Sequence, residues 1–191
     1  TLAAKHWVTS TFLVLVALTA NMTFNNRRAD ETVEALDTWF GHPPRTVYDD
    51  YERQQVLLVR VAASTKPFVV LPETSLLNWN DVSEKLWLKR VPHETATLLG
   101  SETTEASGKA SNVIVAINDG NVQIYHQRQP VPLSMWKPWS HDGYAAHWLE
   151  DPVLSVGGKK VVPLICYETL IVWPVLHSLL MGGNHIVAVS N

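Results

Sequence analysis

Apolar and polar residues change period several times along the 191-residue chain. From Trp7 to Asn26 there is no charge, and Phe12 to Leu18 is wholly apolar, with Lys5 and His6 before it and Arg27 and Arg28 after. A helix needs about 20 apolar residues to cross a bilayer, and Thr and Asn dilute this stretch. The run reads as a membrane helix, a signal-peptide core or a buried strand, where Thr and Val are favoured. Residues 33–39 predict a short strand, closed by Gly41-His42-Pro43-Pro44. From Val47 to Ala63 the apolar residues Val47, Tyr51, Leu58, Val61 and Ala62 recur near helical spacing. Asp49, Asp50, Glu52 and Arg53 are then expected on the early exposed turns.

Pro67 to Leu71 is a continuous apolar run, as in a strand buried on both faces, and Pro72 stops it, leaving Glu73 at its carboxyl end. Val82 to Arg90 predicts a helix, Thr95 to Leu99 a strand, and Glu102 to Ser111 a polar loop. Asn112 to Asn118 and Asn121 to Tyr125 alternate around Asp119-Gly120, a hairpin signal. After an irregular stretch through Trp148, Gly157-Gly158 leads into a strand over 160–165 that ends at Cys166. Thr169 to Met181 predicts a buried helix capped by Gly182-Gly183, and His185 to Val189 a strand. Helices alternating with apolar strands predict a layered α/β fold.

Composition narrows the partners. With 46% hydrophobic and 17% charged residues the chain fits one domain. A net charge of −3, a pI near 6.2 and fifteen scattered Lys and Arg residues argue against nucleic acid. The one cysteine leaves a thiol that is either buried filler or reactive. The eight histidines form no close pair and Cys166 has no partner cysteine, so neither a metal nor another cofactor is expected. Starting at Thr1 and stopping at Asn191, straight after an apolar strand, the chain reads as a fragment.

In α/β sheets functional groups gather at the carboxyl ends of strands, and Glu73 and Cys166 both fall there. A thiol attacking a carbonyl needs a base, which a carboxylate in a dry pocket supplies. The backbone after Cys166, opening a helix, would offer N–H groups to an oxyanion and lower the thiol pKa. The alternative is a buried free cysteine and a solvent-facing glutamate. Glu168 is either a pocket residue or an ordinary first-turn acid.

Leu71-Pro72-Glu73 resembles the strand-end Pro-Glu of the nitrilase, or carbon-nitrogen hydrolase, superfamily, and Ile165-Cys166-Tyr167-Glu168 resembles the nucleophile motif of its apolipoprotein N-acyltransferase branch. The hairpin from Ser111 to Tyr125 and the closing Ser190-Asn191 are similar to family motifs in the same order. The resemblance implies an αββα sandwich over 30–191, incomplete at the C-terminus, behind an apolar membrane-proximal or transmembrane segment and linker over 1–29. It also implies a Glu-Lys-Cys triad: Glu73 as base, Cys166 carrying a thioester, Tyr167 and Glu168 in the pocket. The triad lysine aligns with Gln127 and the family's second glutamate with Met135, a departure that puts turnover in question. Arg128, one residue on, would supply positive charge after a register adjustment, although a guanidinium is not shaped like an ammonium.

The run Gln127-Arg128-Gln129-Pro130-Val131-Pro132, followed by Met135-Trp136-Lys137-Pro138-Trp139, is similar to nitrilase-like domains of conjugal-transfer membrane proteins. That implies a bacterial inner-membrane protein anchored through its N-terminal part, with the domain facing the periplasm. Its substrate would be a small acyl or amide compound or a peptide of the transfer apparatus, hydrolysed or acylated through a thioester. A homo-oligomer is open. The alternative is a catalytically impaired fold serving as a binding or assembly module.

Overall fold

The computed structural model describes Leu15, residues 31–38, Phe40 and residues 46–190. The chain divides into two compact units, Thr1–Glu31 and Thr32–Asn191. The apolar segment over 7–26, apart from Leu15, lies outside the described residues, as do the Gly41 to Pro44 turn and Asn191. Among the described residues no helix is long and apolar enough to cross a membrane.

The second unit is built on two sheets. Five strands follow chain order: β1 (Val33–Ala35), β2 (Phe68–Val70), β3 (Ala96–Thr104), β4 (Ala110–Asn118) and β5 (Asn121–His126). The first three run parallel, and β4 and β5 return antiparallel. The second sheet has β6 (Leu154–Val156), β7 (Lys159–Ile165) and β8 (His185–Val189), with β7 central. Helices α1 (Val47–Ala63) and α2 (Asp81–Arg90) serve the first sheet, and α3 (Val172–Leu180) packs on β7.

Strand alternation sorts the core into two layers. Leu99, Val113, Val115 and Ile117 meet Leu57, Val61 and Trp87 of the helices, while Leu98, Ile114 and Ala116 meet Val156, Val161 and Ile165 of the second sheet. The order helix, sheet, sheet, helix is the expected αββα sandwich. Each fully buried Leu or Ile contributes about 1.5–3 kcal/mol.

Several elements match their predicted places. α1 has the predicted bounds because Thr46 caps it: its hydroxyl accepts from Asp49 N–H (3.0 Å) and Asp49 accepts from Thr46 N–H (3.1 Å). The Asp119-Gly120 hairpin has both residues at positive φ, 48° and 71°, as a two-residue hairpin loop requires.

Others differ. In α1, Asp50 and Arg53 are buried and Val47 and Tyr51 exposed, because Asp50, Gln54, Leu57, Leu58 and Val61 form the inward stripe. Asp50 accepts from Leu77 N–H (2.7 Å) and Gln54 Nε2 (2.8 Å), and Arg53 lies over the Phe40 ring (4.5 Å). The polar stretch after Leu99 is mostly strand: Glu102 to Thr104 pair with Asn112 to Ala110, leaving only 105–109 as the turn. β6 was not predicted, and Gly157-Gly158 (φ 55° and 73°) is the tip of its hairpin with β7. The predicted helix over 169–181 begins only at Val172, after a tight 3-10 segment, Cys166–Leu170. Nor is it buried: Leu170, Val172, Leu176, Leu179 and Leu180 are exposed, and its inward residues are Pro174 and Ser178.

Candidate active site

The carboxyl ends of β2 and β7, one from each sheet, bring Glu73 and Cys166 together. The partly buried thiol lies within electrostatic reach of the Glu73 carboxylate and of the Tyr167 backbone N–H. Both positions are held in strained backbone: Cys166 has φ 47° and Thr74, directly after Glu73, has φ 54°. Such conformations cost about 1–3 kcal/mol for a non-glycine residue and persist only where the surroundings enforce them.

For Glu73 the enforcement comes from Pro72, whose carbonyl accepts from Ser75 Oγ (2.7 Å) and Gly100 N–H (3.2 Å). A Cβ at Gly100 would stand 2.5 Å from Glu73 Cα and 2.6 Å from the Pro72 oxygen, both backbone atoms. Gly100→Ala is therefore expected to cost about 1–3 kcal/mol in urea unfolding. It should also slow Cys166 acylation by about 10²-fold through displacement of the carboxylate.

For Cys166 the enforcement comes from Glu168. Its fully buried carboxylate accepts from Ile165 N–H (2.9 Å), Arg128 N–H (2.7 Å), Gln129 N–H (3.1 Å) and the Tyr125 hydroxyl (2.9 and 3.1 Å). Burial pushes this carboxyl up, against the pull of the N–H groups, the phenol and Arg128. Glu168 is thus neither a first-turn surface acid nor a partner of the thiol. It ties the Cys166 turn to the end of β5, and burial together with the Glu168 charge pushes the Tyr125 phenol well above its ordinary range.

The thiol pKa is raised, not lowered as expected from an N-terminal helix dipole. Burial is the main cause and the Glu73 charge adds to it, while the Tyr167 N–H pulls the other way. The segment opening at Cys166 is a 3-10 turn of five residues, too short to present much dipole.

Gln127, at the place of the family's lysine, is fully buried and donates from Nε2 to the Ile165 carbonyl (3.1 Å). Asn112 Nδ2 links it to Glu73, donating to Gln127 Oε1 (3.3 Å) and Glu73 Oε1 (3.1 Å). The amide of Gln127 carries no charge.

Arg128 is fully buried but turned elsewhere. Its guanidinium donates to the Tyr125 hydroxyl (2.9 Å), the Pro174 carbonyl (3.1 Å) and Ser178 Oγ (3.0 Å), with His177 Nδ1 at 3.4 Å and the Trp173 ring 5.4 Å away. Gln127 N–H still pairs in register with the Asn112 carbonyl (2.8 Å), and Arg128 N–H goes to Glu168. The register adjustment that would aim Arg128 at the thiol does not occur, and the charge acts on Glu168 and Tyr125 instead.

Sequence reasoning missed Gly100, Asn112 and Tyr144. Tyr144 donates to Glu102 (2.7 Å), and burial, Glu102 and, to a lesser degree, Glu73 push its phenol far up. Gly100 inside an apolar strand was the one available signal, since such glycines mark close backbone approach. A cleft of about 330 Å³ opens beside Pro72, lined also by Leu36, Asp37, Val189 and Ser190.

No family model matches the chain. It is 36% identical over 149 residues to the conjugal transfer protein TraB of Agrobacterium fabrum, covering 74% of this chain and 35% of that protein. It is 44% identical over 130 residues to the probable conjugal transfer protein TraB of Sinorhizobium fredii, covering 64% and 33%. The chain thus spans about a third of the length of these curated relatives. Among solved structures, an amidase of the nitrilase superfamily from Nesterenkonia superposes with a TM-score of 0.62 at 14% identity, over 83% of this chain and 64% of that one. By sequence the chain is similar to the conjugal-transfer protein TraB, and its fold is that of nitrilase-superfamily structures.

Proposed function

We propose that this domain performs cysteine-dependent acyl transfer or amide hydrolysis within a conjugal-transfer protein, with Cys166 as nucleophile and Glu73 as base. The observation that carries it is the nearness of the two groups, at the ends of strands in different sheets and close enough for the Glu73 charge to raise the thiol pKa. In the reaction Glu73 takes the thiol proton as sulfur bonds to the substrate carbonyl carbon and the carbonyl electrons move onto oxygen. Collapse expels the amine or alcohol, which takes the proton from Glu73, and leaves a thioester on Cys166. Water or an amine then attacks, deprotonated by Glu73, and releases the cysteine. The Tyr167 N–H, which already pulls the thiol pKa down, is the donor offered to the oxyanion. The substrate is a small acyl or amide compound, or a peptide of the transfer apparatus, met at the inner membrane.

The test is mass spectrometry after incubation with a small activated acyl donor. A hydroxylamine-sensitive adduct on Cys166, absent in Cys166→Ala, is the expected result; no adduct on Cys166 sinks the proposal.

A second reading, a fold retained for binding or assembly with little turnover, is favoured by one observation: Arg128 is spent on α3 while an uncharged Gln127 takes the lysine's position. Losing one preorganised oxyanion donor costs about 10²–10³-fold in rate. Gln127→Lys is accordingly expected to raise the rate of thioester formation by about 10²-fold. No gain in a folded variant would mean that the lysine's absence is not what limits the site.

A further inference from the structure

Away from the thiol, a second group of side chains converges at the other face of the first sheet. Glu105 follows the end of β3, His126 ends β5, and His147 lies in the long connection before β6. One ligand atom from each lies within 4.8 Å of the others, and all three residues are partly buried. Ser111 Oγ of β4 sits among them, 3.1 Å from His126 Nδ1 and 3.3 Å from His147 Nε2. His126 is paired with Val113, which faces the helix layer, whereas Asn112 and Gln127 serve the thiol. The two constellations therefore use opposite faces of the same strands.

We propose that Glu105, His126 and His147 bind one divalent transition-metal ion of the zinc class. Two imidazoles and a carboxylate are a donor set that zinc accepts, with a fourth position left for water or the Ser111 hydroxyl. His147 carries the argument furthest. Its Nδ1 is 2.6 Å from Glu150 Oε1 and its Nε2 is 2.5 Å from Glu105 Oε1. A neutral imidazole donates from only one nitrogen. With the proton on Nδ1 facing Glu150, the Nε2 lone pair points at a carboxylate oxygen, an arrangement that a cation between them resolves. The outer Glu150 then does what carboxylates commonly do behind metal-bound histidines, fixing the tautomer and raising ligand basicity.

Charge agrees: two carboxylates with two neutral histidines offer −2 to a dication. Zinc bonds of about 2.0–2.2 Å separate tetrahedral ligand atoms by roughly 3.3 Å, close to the spacings about Ser111 Oγ. Glu105, 2.5 Å from His147 Nε2, would withdraw by somewhat less than about 1 Å, and the three ligand atoms, all within 4.8 Å of one another, would draw in around the ion. The ion would fasten the connection that carries His147 to the strands carrying Glu105 and His126. The competing arrangement is an imidazolium at His147 donating to both acids with no ion.

The test titrates the full chain with zinc and, separately, with cobalt(II), in a Cys166→Ala background so that the thiol cannot bind. One equivalent bound, with the visible bands of four-coordinate cobalt, is expected. His147→Ala and His126→Gln should each weaken zinc binding by about 100-fold or more, and Glu150→Gln by about 10-fold. Circular dichroism identifies any variant that fails to fold, and the Glu150→Gln arm then decides. No saturable binding, or binding indifferent to His126, His147 and Glu150, overturns the proposal in favour of the ion pair.

Discussion

Glu73→Gln is expected to slow thioester formation at Cys166 by about 10²–10⁴-fold, the usual worth of a positioned general base, while making the same thiol easier to alkylate at mildly alkaline pH. The opposed directions follow from one geometry. Burial and the Glu73 charge hold the thiol above its ordinary pKa, so in the proposed mechanism it attacks a carbonyl only as Glu73 removes the proton. A glutamine keeps the Asn112 contact but has neither the charge nor the basicity. The pH at which alkylation by iodoacetamide is half-maximal should therefore fall in Glu73→Gln, as acylation collapses. Parallel loss of both reactions would mean that Glu73 only supports the turn; no change in either would mean that it does not act on the thiol.

Glu168→Ala should be the most destabilising single change near the site, by about 3–5 kcal/mol. It leaves three backbone N–H groups and a buried phenol without their shared acceptor, and a buried guanidinium without its nearby negative charge. Burial pushes the carboxyl up, so part of its attraction is already offset by desolvation; the orphaned donors carry most of the loss. For a chain of this size, each 1 kcal/mol moves the melting temperature by about 2–4 °C, which gives a drop on the order of 6–20 °C. Thr169→Ala, which removes an exposed hydroxyl donating to the Cys166 carbonyl (2.7 Å), is the control and should change stability by less than about 1 kcal/mol. A Glu168→Ala shift no larger than the control's would mean that the carboxylate does not secure the turn.

Much of this arrangement was legible in the chain because local chemistry and burial agreed. The extent of α1, the Asp119-Gly120 turn, and the apolar strands ending at Glu73 and Cys166 each carry their own signal, whereas the inward stripe of α1 does not, because it includes the polar Asp50 and Gln54. β6 has three residues, too few to show a period, and Glu102 to Thr104 look like a loop because a strand flank tolerates polar side chains. The run from Thr169 to Met181 is apolar on every side and so does not reveal which face is covered.

The direction of Arg128 could not be read either. One position separates it from Gln127, but β5 pairing persists at Gln127 and the chain turns immediately after, held by Glu168. Glu105, His126 and His147 are far apart in sequence and come together only when β3, β5 and a loop converge. Spacing rules that look for neighbouring histidines do not reach such a set.

The central claim, that Cys166 and Glu73 act as one acyl-transfer pair, is tested most directly by the rate at which a small activated acyl donor forms the Cys166 thioester, compared at neutral pH with a free thiol. An unassisted thiol with a raised pKa would be slower than the free compound, so the account predicts wild type faster than the free thiol, by about tenfold or more, with Glu73→Gln slower. Wild type no faster than the free thiol, and Glu73→Gln equal to wild type, would contradict it.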